Sequence, residues 1–344
     1  MDLYLNKPIY CCRPIRSITA LARALKCEEQ ALLAAAEKAN KSYRTVPFEP
    51  GSTRETFDAL RRLKEIHRRI KTTFFANVAF PDYLHGSLKG CDYVTNALLH
   101  TNKQLLICED VKKFFPSVTA AKVEDVWCAF FGFSPDVARI LTRLTTKDGA
   151  LPQGSITSSY LANLVLWRDE PLLQAKLAAR GITYSRYVDD MAMSSRIHVT
   201  KATQTWVIAQ LYGMLRKNGL TAGRAKHEIF SASEPMIATK LIVNNKPSLD
   251  QKKRSQVRAQ VKQLEIAQSS GTEPEAVRLL ANKAAQRVGQ FGRFHATSAG
   301  HLRERIKAVR TVLPLESRSA MTYSKRSPTM LSPQITTDGQ APWE

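Results

Sequence analysis

The sequence contains no long apolar run, no cysteine pair at metal-ligand spacing and too few acidic residues to balance its basic ones. No stretch reaches the roughly 18 apolar residues that a transmembrane helix needs, and the first residues lack the apolar core of a signal peptide. The 6 cysteines form no Cys-x-x-Cys pair and no cluster with histidine at zinc-ligand spacing. These absences argue against a membrane-spanning protein, a zinc module and a disulfide-stapled secreted domain. We therefore expect free thiols and a reducing, cytoplasmic location.

Positive charge is what the sequence has in excess. With 51 Lys and Arg against 30 Asp and Glu, the 344 residues carry a formal net charge of +21, and 44% of them are hydrophobic, as in a globular chain. Such an imbalance is informative about partners, because basic residues that neutralise phosphates dominate the affinity of proteins for nucleic acids. Nucleic acid is the leading candidate and an acidic membrane surface is the second. The charge is spread along the chain, which favours an extended groove over an anchor.

Hydrophobic periodicity predicts a chain of helices and short strands. Helices are predicted over 17–40, 60–70, 119–132, 134–147, 157–179, 201–217 and 249–312. Strands are predicted over 43–57 as a short hairpin, over 105–108, on both sides of 187–190, and over 237–244. Residues 314–344 are rich in Ser, Thr and Pro and lack periodicity, so we expect a flexible tail.

Two adjacent carboxylates stand between two strand-like runs in Tyr187-Val188-Asp189-Asp190. The flanking runs, 182–186 and 191–194, predict a β-hairpin with the acid pair at its turn. Adjacent carboxylates repel each other unless a positive charge lies beside them, and Mg²⁺ takes carboxylate oxygens as ligands. Two such ions can clamp the attacking and leaving oxygens of a phosphoryl transfer. The alternative is a solvated Asp-Asp turn, since Asp is a common turn residue.

A third acidic residue, Asp110, follows the apolar run Leu105-Leu106-Ile107-Cys108. A buried strand that ends in Asp can present its carboxylate to the turn of a neighbouring hairpin. Asp110, Asp189 and Asp190 would then form one group of three carboxylates from two distant parts of the chain. The alternative for Asp110 is a strand-end cap or a salt bridge.

The order of these motifs resembles that of the reverse transcriptases, and most specifically of the bacterial retron reverse transcriptases. The tetrapeptide at 187–190 resembles the family's tyrosine-x-Asp-Asp hairpin, and the segment from Asp110 to Ser117 resembles its first carboxylate strand. The segment 151–155, followed by 161–164, resembles the part that positions template and nucleotide. The residues that resemble the fingers are Tyr43, Arg44, Gly51, Arg54, 63–70, His85, Gly86, Lys89 and Gly90. The match runs from about residue 43 to 245.

The retron assignment is based on Asn96-Ala97-Leu98-Leu99-His100, which matches the Asn-Ala-x-x-His signature of that group. Two segments depart from the family pattern. Ala238-Thr239-Lys240 stands where retron enzymes tend to have Val-Thr-Gly, and Phe48-Glu49-Pro50 stands where a basic residue is common in the fingers. Neither departure touches the three acidic residues.

The resemblance implies an α+β fold of the right-hand polymerase type, with an antiparallel palm sheet, flanking helices and a helical thumb. It implies the following division of the chain: an N-terminal helical extension over 1–42, fingers over 43–104, a palm over 105–245 with finger helices inserted at about 119–150, a thumb over 246–313 and a tail over 314–344.

The resemblance also implies roles for individual residues. Asp110, Asp189 and Asp190 would be the catalytic residues and would hold two Mg²⁺ ions, with Mn²⁺ as an alternative. The carbonyl of Val111 would add a ligand. The nucleotide-binding residues would be Arg54, Phe115, Gln153, Gly154 and Lys226.

Several of the nucleotide contacts have a specific role or a plainer alternative. Phe115 would be a steric gate that clashes with a 2′-hydroxyl, or it is ordinary core packing. Arg54 would approach the incoming phosphates, a role that suits a guanidinium fork. Lys226 would act near the triphosphate as a general acid, or it is one more surface lysine.

RNA binding would involve Asn96, His100, Arg287 and Arg293. Asn96 and His100 are spaced i, i+4, so both would face one way on a helix. The resemblance implies that they recognise structured RNA, and the alternative is a helix cap with a satisfied histidine. Arg287 and Arg293 lie in the basic helical region of the expected thumb.

The implied function is that of an RNA-directed DNA polymerase that copies part of its cognate structured noncoding RNA, with deoxynucleoside triphosphates as substrates. In retron enzymes synthesis starts from a 2′-hydroxyl within the RNA and gives a branched RNA–DNA product (msDNA), commonly in anti-phage defence with a separate effector or toxin protein. One alternative is a group II intron-like or other defence reverse transcriptase without 2′-hydroxyl priming. Another is a non-catalytic RNA-binding scaffold, which would predict eroded carboxylates. No membrane partner is expected.

Overall fold

The computed structural model describes residues 5–47 and 55–314, except for the side chain of Lys226. Arg54, the departure at 48–50 and the predicted tail beyond residue 314 therefore lie outside the described residues. The chain divides into two compact units between Thr239 and Lys240. Helices and antiparallel strands are both present, in agreement with the expected α+β class.

The first unit begins with short elements that precede the central sheet. In chain order they are β1 (Ile9–Tyr10), α1 (Ile18–Ala24), α2 (Glu29–Lys38), β2 (Tyr43–Pro47), β3 (Glu55–Ala59), α3 (Arg61–Thr73), β4 (Val78–Ala79) and α4 (Tyr93–Leu98). Strand β1 pairs with β4, and β2 pairs with β3, both antiparallel. The β2–β3 pair confirms the predicted hairpin.

The elements that follow build the central sheet and the helices around it. They are β5 (Leu105–Asp110), α5 (Phe114–Ser117), α6 (Ala120–Asp125), a π-helical turn (Val126–Phe130), α7 (Pro135–Thr145), α8 (Ser158–Leu164), α9 (Glu170–Ala178), β6 (Ile182–Tyr187), β7 (Asp190–Ser195), α10 (Lys201–Lys217), β8 (Glu228–Ser231) and β9 (Ile237–Ala238). The sheet is antiparallel with the strand order β6-β7-β5-β8.

The register of this sheet brings acidic residues side by side. Asp110, the last residue of β5, is opposite Asp190, the first residue of β7, and Tyr187 of β6 is opposite Asp190 on the other side. Directly opposite residues of an antiparallel pair point to the same face, and side chains alternate between faces along a strand. We call the face with Asp110 and Asp190 the carboxylate face. Ser185 and Ser194 also point to it.

The opposite face of the sheet is mostly apolar and forms part of the core. Its buried apolar residues are Leu105, Ile107, Ile182, Tyr184, Met191 and Met193. They belong to the same cluster as Leu161 of α8 and Leu177 of α9, and α9 contacts β6. Full burial of one such side chain contributes about 1.5–3 kcal/mol, so this face anchors the sheet to the helices behind it.

Two predicted helices are each broken into two. The helix predicted over 17–40 ends at Ala24 and restarts at Glu29, and Lys26 between them has a left-handed φ of 52°. The helix predicted over 157–179 ends at Leu164 and restarts at Glu170. Pro171 lies in the first turn of α9, where a missing N–H breaks no helix hydrogen bond.

The strand predicted over 237–244 is also interrupted. After β9, the next strand is β10 (Leu241–Ile242). Thr239 and Lys240 between them have φ values of 44° and 65°, a region that regular strands do not use. The helix predicted over 201–217, by contrast, is α10 with the same bounds.

Up to residue 314, the second unit contains β10 and three helices, α11 (Gln251–Ser269), α12 (Pro274–Phe291) and α13 (Ala296–Val312). These helices pack on one another, and Val261, Ala281 and Ile306 are buried. Arg305 donates to both oxygens of Glu265 at 2.7 and 2.8 Å, which ties α13 to α11. The helical region predicted over 249–312 is confirmed.

Candidate active site

Three carboxylates lie together at one end of the central sheet. One oxygen from each of Asp110, Asp189 and Asp190 lies within 4.8 Å of the other two. Asp110 is 9% exposed at the end of β5, and the other two are half-buried at the hairpin turn. The prediction that the fold brings these three residues together is confirmed.

The donor set of this group fits a divalent cation. Like charges this close repel one another, and a metal ion between them relieves the repulsion. Carboxylate oxygens are hard ligands, which suit Mg²⁺ and Mn²⁺. In the described part of the chain, this is the only group of three or more acidic, His or Cys side chains that is close enough to share an ion.

The hairpin turn that carries Asp189 and Asp190 is tight. Strand β6 ends at Tyr187 and β7 begins at Asp190, so Val188 and Asp189 form a two-residue loop. Val188 has a φ of 59°, whereas Asp189 is not among the residues with a positive φ; a positive φ at the first loop residue alone marks a type II′ turn, since type I′ needs it at both. A β-branched residue rarely takes this φ, so its surroundings must hold it there. Gly86 is part of them, because a Cβ atom on it would lie 2.4 Å from Val188 Cγ2.

Backbone hydrogen bonds hold the end of β5 against this turn. The Asp110 carbonyl accepts from the N–H of Gly223 at 2.6 Å, and the N–H of Val111 donates to the Asp189 carbonyl at 3.1 Å. A Cβ atom on Gly223 would lie 2.8 Å from Asp110 Oδ2, so this approach requires glycine. The Val111 carbonyl as a metal ligand stays a prediction.

The tyrosine before the turn is uncharged. Burial raises the pKa of the Tyr187 phenol to about 12, and the nearby carboxylates of Asp92 and Asp190 act in the same direction. A neutral phenol adds no further negative charge to the carboxylate group.

The predicted nucleotide residues Gln153 and Gly154 form a turn that packs on β3. The N–H of Phe57 donates to the Gln153 carbonyl at 2.8 Å. Gly154 has a φ of 95°, and a Cβ atom on it would lie 3.0 Å from the Phe57 carbonyl oxygen. Both facts explain why glycine stands there.

A buried histidine lies behind this turn. His67 Nε2 donates to the Leu144 carbonyl at 2.7 Å, and His67 Nδ1 accepts from the Ser155 hydroxyl at 3.0 Å. Burial lowers the pKa of His67 to about 4, so the ring is neutral at pH 7 and can accept this hydrogen bond. Ser155 directly follows Gly154, so His67 braces the segment that carries the predicted nucleotide contacts.

The structure gives less information on the other predicted nucleotide contacts, Phe115, Arg54 and Lys226. Phe115 is 6% exposed and lies beside Phe114, with 6.0 Å between the ring centroids. The backbone of Lys226 belongs to a 3₁₀ turn (Arg224–Lys226), and its side chain, like Arg54, is outside the described set. The steric gate, the phosphate contact and the general acid stay predictions.

Asn96 and His100 are buried, which argues against the predicted contact with RNA. They are 1% and 0% exposed. His100 lies 2.7 Å from the Ser185 hydroxyl through Nε2 and 2.7 Å from the Ser194 hydroxyl through Nδ1. Ser185 in turn donates to Asn96 Oδ1 at 2.7 Å. The alternative of a satisfied histidine is the one that the structure supports, and burial lowers the pKa of His100 to about 3.

The reason lies in the local structure. Helix α4 ends at Leu98, so His100 lies beyond the helix on which the i, i+4 argument relied. The cap of α4 is Asp92, whose carboxylate accepts from the N–H groups of Val94 and Thr95. Asn96 and His100 instead point at the carboxylate face of β6 and β7.

The other two RNA-binding candidates lie in the second unit. Arg287 is half-buried on α12, and Arg293 is exposed just beyond the end of that helix. Their contact with RNA stays a prediction.

Sequence reasoning missed a buried ion pair beside the turn. Arg186 and Glu170 are 0% and 1% exposed and contact each other at 2.6 Å. The available signal was weak: Arg186 is the only charged residue of β6 and stands one position before the tyrosine of the motif. Its partner Glu170 lies in a different element, α9, so the spacing of the two residues along the sequence does not predict that they pair.

The sequence is similar to those of several known proteins. Residues 37–266 match the family described as reverse transcriptase (RNA-dependent DNA polymerase). The retron Se72 reverse transcriptase of Salmonella heidelberg (strain 579083-10) is 31% identical over 306 residues, which cover 87% of this chain and 81% of that protein. The retron Ec48 reverse transcriptase of Escherichia coli is 26% identical over 315 residues, 86% of this chain and 77% of that protein. The retron Ec86 reverse transcriptase of Escherichia coli is 26% identical over 223 residues, 64% of this chain and 68% of that protein.

Proposed function

Because the chain belongs to the retron-type reverse transcriptases and is an RNA-directed DNA polymerase, we propose that it copies part of a cognate structured noncoding RNA into single-stranded DNA. Synthesis would start from a 2′-hydroxyl of that RNA and leave a branched RNA–DNA product. The observation that carries the catalytic part of the proposal is the group formed by Asp110, Asp189 and Asp190.

In this proposal the three carboxylates hold two divalent cations, with Mg²⁺ as the expected ion. When bound, such ions make the attacking hydroxyl more acidic and neutralise charge on the triphosphate. The protein contributes by holding the ligand carboxylates in position. Asp110 is held by Gly223, and Asp189 by Val111 and by the tight turn, so the ligand oxygens need little rearrangement when an ion arrives.

The nucleotide would lie between the carboxylates and the turn at Gln153 and Gly154. The support is the bracing of this turn by Phe57 and His67, which leaves it little freedom. Phe115 would exclude a 2′-hydroxyl.

Arg54 and Lys226 would contact the phosphates. This part of the proposal rests on their place in the motif order alone.

The domain proposal follows the motif order. Fingers (43–104), palm (105–245) and thumb (246–313) would follow an N-terminal extension (1–42). The central sheet with its carboxylate group supports the palm, and the three basic helices of the second unit support the thumb.

The proposed partners are the cognate RNA, its DNA product and deoxynucleoside triphosphates. The net charge of +21 supports contact with a phosphate backbone. No helix in the described ranges is both long and apolar enough to cross a membrane. A role in anti-phage defence with a separate effector protein completes the proposal.

The product itself provides the test. The protein would be expressed with its native flanking DNA, and total nucleic acid would be extracted, treated with or without RNase and run on a denaturing gel. The matched control is the same locus with Asp190→Asn. We expect a discrete single-stranded DNA band in the wild type only, whose mobility shifts after RNase treatment because an RNA branch has been removed.

Two other results would change the proposal. A DNA band that RNase does not shift would contradict the branched product and favour a reverse transcriptase without 2′-hydroxyl priming. A band that persists in the Asp190→Asn strain would contradict the assignment of the catalytic group.

A further inference from the structure

The turn that carries Asp189 and Asp190 is held from inside the protein by one side chain. We propose that Arg186 is a positioning residue, whose buried guanidinium fixes this turn against the end of α8. The inference rests on the proposed role of the carboxylates in metal binding, although the guanidinium of Arg186 donates to Glu170 and to three backbone carbonyls and not to those carboxylates.

All five N–H groups of the Arg186 guanidinium have an acceptor. Nε and Nη2 donate to the two oxygens of Glu170 at 2.6 and 2.8 Å. Nη1 donates to the carbonyls of Ala162 and Val188 at 3.2 and 3.1 Å, and Nη2 also donates to the carbonyl of Asn163 at 3.1 Å. The side chain therefore has a single orientation in which every donor is satisfied.

The charge of Arg186 is balanced in place. Burial would lower the pKa of the guanidinium, but the Glu170 carboxylate outweighs burial and raises it. Glu170 Oε1 also accepts from the Tyr184 phenol at 2.6 Å. Fully hydrogen-bonded buried pairs of this kind are directional, because moving either partner leaves a charge without its ligands.

The carbonyl acceptors of Arg186 belong to two different parts of the site. Ala162 and Asn163 are in the last turn of α8, where helix carbonyls have no intrahelical partner. Val188 is the strained first residue of the catalytic turn. One guanidinium thus joins the turn with the carboxylates to the helix that follows the Gln153–Gly154 turn.

A second contact closes the other side of Val188. Asn163 Nδ2 donates to the Gly86 carbonyl at 2.7 Å, and Gly86 lies directly against Val188. Val188 is 4% exposed as a result. Its left-handed φ is therefore set by contacts with Gly86 and Arg186.

Lysine cannot reproduce this arrangement. Its ammonium is a point charge with three donors, whereas Arg186 presents a planar fork to a carboxylate and three carbonyls. Arg186→Lys keeps the charge and loses the hydrogen bonds that reach the turn. Glu170→Gln keeps the volume and one carbonyl acceptor, and loosens the guanidinium from the other side.

The test measures metal binding directly, without substrate. Mn²⁺ affinity would be measured by electron paramagnetic resonance on wild type, Arg186→Lys, Glu170→Gln and Asp189→Asn, together with thermal unfolding. Primer extension would give kcat and the KM for primer–template. Arg180→Lys is the matched control, since Arg180 is exposed and stacks on Trp206 at 3.7 Å.

We expect Arg186→Lys to weaken Mn²⁺ binding and to lower kcat by about tenfold or more, as for other groups that orient metal ligands, with little change in KM. Glu170→Gln should weaken Mn²⁺ binding and lower kcat by a smaller factor. If Arg186→Lys does not fold, Glu170→Gln provides the test. Arg180→Lys should match the wild type.

The inference is overturned if a folded Arg186→Lys or Glu170→Gln protein melts at a lower temperature but keeps wild-type Mn²⁺ affinity and kcat. Such a result would assign Arg186 a structural role alone. If wild type and Asp189→Asn bind Mn²⁺ equally, the carboxylate assignment itself fails, which is a different outcome.

Discussion

Two buried polar clusters contact the hairpin that carries Asp189 and Asp190 from opposite faces of the sheet, and they differ in charge. The charged cluster, on the opposite face, consists of Arg186, Glu170 and Tyr184. The neutral cluster, on the carboxylate face, consists of Asn96, His100, Ser185 and Ser194. Both are fully or almost fully buried.

The difference between the clusters lies in what each one reaches. The charged cluster reaches the Val188 carbonyl, inside the turn. The neutral cluster ends at Ser185 and Ser194, within the strands. Because a guanidinium fork fixes direction more tightly than a serine hydroxyl, the charged cluster is suited to set the geometry of the turn and the neutral one to join α4 to the strands.

Removal of Glu170 should give the largest loss of stability. Glu170→Ala leaves the Arg186 charge buried without its partner, which typically destabilises a protein by about 3–5 kcal/mol. Urea unfolding would measure it. The control is Glu65→Ala, whose ion pairs with Arg68 and Arg69 are at the surface, with an expected loss under about 1 kcal/mol. Equal losses of stability in the two variants would show that the buried pair contributes no more to stability than the surface pairs.

Two buried histidines should make stability depend on pH: His100 of the neutral cluster, and His67, which lies behind the Gln153–Gly154 turn and belongs to neither cluster. His67 and His100 have pKa values near 4 and 3 when folded and near 6.5 when unfolded, so the unfolded chain takes up protons first as pH falls. Their contribution is complete above pH 6.5 and decreases below it, by about 2 kcal/mol per histidine at pH 5. Thermal unfolding between pH 7.5 and 5 would show this.

A matched variant separates the histidines from the carboxylates that also titrate in acid. Stability measured for the double variant His67→Gln, His100→Gln should decline less steeply over the same pH interval. A decline as steep as that of the wild type would contradict the assignment.

Loss of His100 alone should have a moderate effect on stability and none on RNA affinity. His100→Leu leaves the hydroxyls of Ser185 and Ser194 without this partner, a loss of about 1–2 kcal/mol. Chemical unfolding and an RNA binding titration on the same protein would measure both. A tenfold loss of RNA affinity with unchanged stability would restore the direct RNA contact that burial argues against.

The smallest effect should come from a strained position outside both clusters. Lys240 has a φ of 65°, which glycine adopts without strain, and it stands where retron enzymes tend to have Gly. Lys240→Gly should stabilise the protein by up to about 1 kcal/mol. Lys246→Gly is the control, and there the added freedom of the unfolded chain should destabilise slightly. Destabilisation by both would contradict the strain at Lys240.

The sequence predicted the parts of the site that depend on local patterns. Two strand-like runs around a short acidic turn, and an apolar run ending in Asp110, were enough to predict that the three carboxylates lie together.

The parts that the sequence did not reveal depend on contacts between distant segments. The burial of His100 depends on α4 ending at Leu98 and on Ser185 and Ser194 sharing a face. The Arg186–Glu170 pair depends on where α8 ends and α9 begins, and periodicity predicted one unbroken helix there. Such tertiary contacts override local preference.

Primer extension on an RNA template, with RNA binding measured in parallel, tests the central claim most directly. The proteins are wild type, Asp189→Asn and, as a control at an exposed position, Asp136→Asn. We predict that Asp189→Asn loses DNA synthesis by about a thousandfold or more, equivalent to several kcal/mol of transition-state stabilisation, while it binds RNA like the wild type and Asp136→Asn is fully active. Extension by Asp189→Asn at the wild-type rate would contradict the assignment of the three carboxylates as the polymerase centre.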